Sequence, residues 1–139
     1  MIAALVGGCG NDEHRVPVAC LEGAGPVRTA LAHAPGDVRF ETGTKLSECF
    51  NRAASPAEIQ QVASVFIDVT SALADRARVK PHSPAALQLG YLIGAVRHGA
   101  GHTQGIHYET QRRIEQELNG VQTGAPEFVR GERAGERTG

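Results

Sequence analysis

Residues 55–79 read SPAEIQQVASVFIDVTSALADRARV, and the reading of this stretch decides the fold. Ser55-Pro56-Ala57-Glu58 is a capping box with proline at the first helical position, where a missing N–H costs nothing. Behind it Ile59, Val62, Ala63, Phe66, Val69, Thr70, Leu73 and Ala77 recur with the 3.6-residue period of one helix face. Val65, Ile67 and Ala72 widen that stripe until the middle of the segment is apolar on nearly all sides. The pattern predicts a helix over 56–79, roughly 36 Å long, flanked by other elements and serving as the spine of the domain. Asp68 falls on its one polar stripe, with Ser64, Ser71 and Asp75, which reads as an exposed position rather than a buried functional acid.

Working outward, the C-terminal side continues in helices. After the KPHSP turn, Ser83-Pro84 opens a helix to about His98, with Gly99 as its stop. Ala86, Gly90 and Gly94 stand four apart and make a smooth ridge. Such spacing serves membrane helix dimers, but the apolar stretch ends at Arg97 and contains Gln88, too short to cross a bilayer. It predicts a close helix crossing within a bundle. A further helix spans 106–118 on the seam Ile106, Thr110, Ile114 and Leu118, ended by Asn119-Gly120. Glu109 and Arg113 are spaced to pair within it. Residues 120–139, rich in glycine and charge, read as a disordered tail, and the repeat GERAGERTG carries no fold implication.

On the N-terminal side, GPVRTALAHAPG predicts a short helix over 26–34. DVRFE alternates, with Val38 and Phe40 pointing one way, as an extended segment or lone edge strand. Residues 44–53 predict another helix capped by Thr44, whose apolar face carries Leu46, Cys49, Phe50 and Ala53. The expected fold class is therefore all-α: a small bundle of four to five helices around the long helix 56–79. The 139-residue length suits one domain, here 25–119. Aromatics make up 4% of the chain, so the core must come from Val, Leu, Ile and Ala.

Net charge is −1 with both signs interspersed, which gives no footprint for nucleic acid. A helix-turn-helix reading of 44–79 fails on the same ground, since the second helix has no basic residue until Arg76. No Gly-x-Ser-x-Gly, phosphate-cradling loop, His-Glu-x-x-His or Cys-x-x-Cys occurs, so no catalytic residue is assigned. HGAGHTQGIHYE holds the one candidate ligand set. His98, His102 and His107 could hold zinc or copper, with Tyr108 or Glu109 completing the shell. Against convergence, they are spread over a helix end, a loop and a helix start, with no carboxylate in the loop to orient the rings.

The chain opens MIAALVGGCGNDEH, and Val6-Gly7-Gly8-Cys9, preceded by Leu5, resembles the lipobox of bacterial lipoproteins. The resemblance covers about the first fourteen residues. It implies a signal peptide ending at 1–9, a diacylglycerol on Cys9, a polar tether and lead-in loop over 10–24, and anchoring to a membrane of the cell envelope. No basic residue precedes Cys9 and eight residues stand before it, short of a full signal peptide, so the reading implies coding sequence upstream of Met1. It also disposes of an odd cysteine count. With Cys9 lipidated, Cys20 and Cys49 remain to form a disulfide, closing a loop worth about 3.5 kcal/mol. Three functional expectations follow: an envelope-anchored or secreted domain with a structural or interaction role, a periplasmic metal-binding protein using the histidines, or a cytosolic helical module with free thiols.

Overall fold

The computed structural model describes residues 16–51, 55–101, 103 and 105–139. Among these the chain is all-helical, without a strand, and closed by one disulfide. A 3-10 turn at Val18–Cys20 leads into α1 (Ala24–Leu31), the short α2 (Glu48–Asn51), α3 (Pro56–Val79), α4 (Pro84–Ala100), α5 (Ile106–Gln116) and α6 (Pro126–Thr138).

The long helix α3 starts where its capping residues place it. Ser55 Oγ accepts the Glu58 N–H at 3.2 Å and donates its own proton to the Glu58 carboxylate at 2.9 Å. All eight residues of the expected stripe are buried, from Ile59 to Ala77. Asp68 is exposed, as the polar stripe implied. Ser83 opens α4 in the same way, its hydroxyl accepting the Ala86 N–H at 3.3 Å. Helix α4 is the more deeply buried of the two and packs against all five other helices, whereas α3 packs against α1, α2, α4 and α5.

Local differences from the sequence expectation have local causes. Helix α1 begins at Ala24, two residues early, so that Pro26 falls within the first turn, where no N–H is needed. The helix expected over 44–53 shrinks to a single described turn, with 52–54 outside the described residues. Thr44 does not cap it: its carbonyl accepts the Phe40 N–H at 2.9 Å, and the Glu48 carboxylate takes the Lys45 N–H at 2.7 Å. Val38 and Phe40 are both buried, in an extended segment without a strand partner.

The disordered tail expected over 120–139 is corrected. Residues 126–138 form α6, which lies parallel to α4 with backbones in contact. A Cβ at Gly90 would collide with the Phe128 carbonyl, and one at Gly94 with that of Glu132. Reciprocally, Cβ atoms at Gly131 and Gly135 would strike the carbonyls of Leu87 and Tyr91. The glycines of GERAGERTG, each costing about 1 kcal/mol in a helix interior relative to Ala, are thus the complement of the α4 ridge. The expected close crossing of Gly90 and Gly94 exists, and its partner is this segment. Charged groups flank the seam. Arg97 donates Nε to Glu115 of α5 at 2.7 Å and Nη1 to Glu132 of α6, with Glu136 3.8 Å away. Tyr91 and Thr138 share a hydroxyl hydrogen bond of 3.1 Å.

Helix α5 ends at Gln116, two residues short of the expected 118, and the turn after it closes at Gly120, whose φ of 76° lies in the left-handed region that a side chain disfavours. Arg78 of α3 secures that end, donating to the Glu117 and Asn119 carbonyls at 2.7 and 2.9 Å. The Glu109–Arg113 pair does not form: Glu109 faces Arg112 at 3.8 Å, while Arg113 lines a groove against α3 beside Asp68 and Ser64.

Candidate functional site

Cys20 and Cys49 are bonded, their Cα atoms 5.7 Å apart and both side chains buried. The 3-10 turn presents Cys20 inward, and the apolar face of α2 does the same for Cys49 beside Leu46 and Phe50. Phe50 meets Phe66 of α3 edge-on with ring centroids 4.8 Å apart, an arrangement favoured by the ring quadrupoles. The bond thus pins the chain entering the domain to the core, and Gln61 of α3 adds a hydrogen bond to the Leu21 carbonyl at 2.8 Å. With two of the three cysteines consumed, Cys9 is the one left over. Cys9, the lipobox and the expected tether up to Arg15 lie outside the described residues.

Ala19, the neighbour of Cys20 in the chain, lines a cleft of about 530 Å³. Pro26, Thr29 and His33 form one wall, following α1 and the turn after it. Arg39, Phe40 and Thr42 form the other. Arg39 is held in place by Asp37 at 2.6 Å and by the Gly43 carbonyl at 3.3 Å. Sequence reading did not find this cleft, because its lining comes mainly from α1 and from residues 39–42, segments that share no local pattern.

The histidine connection is divided. His102 lies outside the described residues. His98 is exposed, and its Nδ1 meets the Glu136 carbonyl of α6 at 2.7 Å. That contact with α6 is one that no spacing within HGAGHTQGIHYE could have revealed. His107 is partly buried at the start of α5, and burial lowers its pKa. Among the described residues no three His, Cys, Asp or Glu side chains are grouped so as to hold a metal ion.

Arg97 is the strongest electrostatic node, with three carboxylates from two helices around one half-buried guanidinium. Burial alone would lower its pKa, but Glu115 and Glu132 outweigh that and raise it. Burial also raises the Tyr91 pKa against the opposing hydrogen bond from Thr138. Both groups hold α6 in place. Among the described residues no helix is long and apolar enough to cross a membrane.

No family model, curated protein or solved structure matches this chain.

Proposed function

We propose that this chain is the folded domain of an extracytoplasmic lipoprotein, carried on the membrane of the cell envelope by lipid on Cys9 and serving a structural or interaction role there. The observation that carries the reading is the buried Cys20–Cys49 bond. Disulfides form and persist in oxidising compartments and are rare in the cytosol, which weighs against a cytosolic module with free thiols. The bond leaves Cys9 as the odd cysteine, and Cys9 is the residue that the lipobox-like Val6-Gly7-Gly8-Cys9 assigns to the lipid. Six residues lie between Cys9 and Val16, the first described residue, a reach of at most about 25 Å, which would hold the domain close to the bilayer.

The test is mass spectrometry of the mature N-terminus after expression of the gene with its upstream sequence in a bacterial host. The expected product begins at Cys9 and carries a diacylglycerol mass, and Cys9→Ala abolishes both the cleavage and the membrane fractionation. An intact Met1 with an unmodified Cys9 thiol would overturn the reading.

A further inference from the structure

We propose that α6 is a strap: a segment that is helical only while docked on α4, and that opens and recloses as one unit while the disulfide-pinned remainder stays folded. Its own sequence cannot sustain a helix. Thirteen residues is marginal for an isolated helix in water. Gly131 and Gly135 lie in its interior, where glycine is the least favourable residue after proline. Its buried apolar side chains are Phe128 and Ala134. The helix therefore owes its existence to α4, the one helix against which it makes extensive contact.

The seam is also built to part cleanly. Its contacts are backbone against backbone at Gly90, Gly94, Gly131 and Gly135, along a single surface, and Phe128 is the one large side chain of α6 that it buries. The polar links span the whole length: His82 to Glu127 at 2.9 Å near the start, Arg97 to Glu132 in the middle, and Ser47 to the Gly139 carbonyl at 2.6 Å at the end. Most of these groups are partly open to water, which replaces the links when they break. A fixed point lies immediately upstream. Arg78 clamps the Glu117 and Asn119 carbonyls of the turn after α5, so an opening stops there and the segment from Gly120 to Ala125 acts as the hinge. Opening bares the Leu87–Gly90–Tyr91–Gly94 ridge, a helix-sized surface that the protein closes with its own segment.

Native-state hydrogen exchange on the oxidised full chain tests this, residue by residue. The Val129–Gly139 amides are expected to share one protection factor, about 100-fold or more below that of the α3 amides Val65–Leu73. Glu132→Gln removes the charge of an Arg97 partner without adding bulk. It is expected to lower α6 protection about fivefold and leave α3 unchanged. Equal protection in α6 and α3, a gradient decaying from Gly139 toward Val129, or a fall in α3 together with α6 would each overturn the proposal.

Discussion

The corner at Cys20–Cys49 and the seam between α4 and α6 tie down the N-terminal and C-terminal segments of the domain by opposite means. At the corner a covalent bond joins two segments with little regular structure of their own, a 3-10 turn and a single helical turn. At the seam no covalent bond and few large side chains are used, and two helices approach until their backbones touch. The corner tolerates poor local structure because the bond restricts the unfolded chain whatever the native packing nearby. The seam tolerates poor helix propensity because bringing glycine ridges together gains close contact that larger residues would prevent. One closure thus depends on the redox compartment, and the other on the absence of four side chains.

The largest expected effect falls on the corner. Reducing the oxidised protein, or substituting Cys20→Ala together with Cys49→Ala, should cost about 3.5 kcal/mol of unfolding free energy. Urea titration of the oxidised and reduced forms measures it. A loss below about 1 kcal/mol would mean that packing around Phe50 and Phe66 holds the corner without the bond.

A smaller but more selective effect is expected at the seam. Gly135→Val places a branched side chain against the Tyr91 backbone, which can yield only if α6 moves away. The expected cost is about 2–3 kcal/mol, with far-UV dichroism losing the signal of one short helix and not the whole fold. Gly94→Val should do the same from the other side. The double substitution should cost little more than either alone, since a seam already open cannot be opened again. Gly124→Ala is the control: a Cβ there meets nothing and φ is not positive, so stability should stay level or rise slightly. Additive costs in the double variant would show that the seam and the core unfold together.

The two closures also differ in how far they could be read from the chain. Helix α3 was legible to the residue, because its cap, its proline and its apolar period are all local and all agree. Cys49 was legible as inward-facing for the same reason, and the disulfide pairing followed from the lipobox resemblance, which reserves Cys9 for lipid. Helix α6 was not legible. Taken alone, PEFVRGERAGERT has the glycine and charge content of a loop, and local propensity is the rule it breaks. The signal was present but divided: Gly131 and Gly135 repeat at the spacing of Gly90 and Gly94, 41 residues earlier. Only matching one ridge to the other turns a poor helix into a docked one. The links from Arg97 to Glu132 and from His98 to the Glu136 carbonyl were hidden with it. The cleft lined by Ala19 was hidden too, since Arg39 and Thr29 share no local pattern that places them on facing walls.

The smallest expected effect uses pH to separate the two regions from the helix between them. Burial lowers the pKa of His107, at the start of α5, below the ordinary histidine value near 6.5. Between that lowered value and about 6.5 the unfolded chain binds more protons than the folded one. Stability is then undiminished above about pH 6.5 and falls as pH drops through this window, the sign opposite to that of a histidine gaining an acidic partner. Because His107 is only partly buried, the slope should be shallow, and His107→Gln should flatten it. Glu127, at the start of α6, accepts its own backbone N–H and faces His82, and both interactions lower its pKa. Its contribution is present above the ordinary carboxylate range and lost as pH falls through it. Urea titrations at half-unit steps from pH 7 to about pH 3 should therefore show His107→Gln removing the upper part of the decline and Glu127→Gln the lower part. Cys20–Cys49 does not titrate, so the reduced protein should keep the same slope on a lower curve. A slope that vanished on reduction would mean that the acid response resides in the corner, not in α5 and α6.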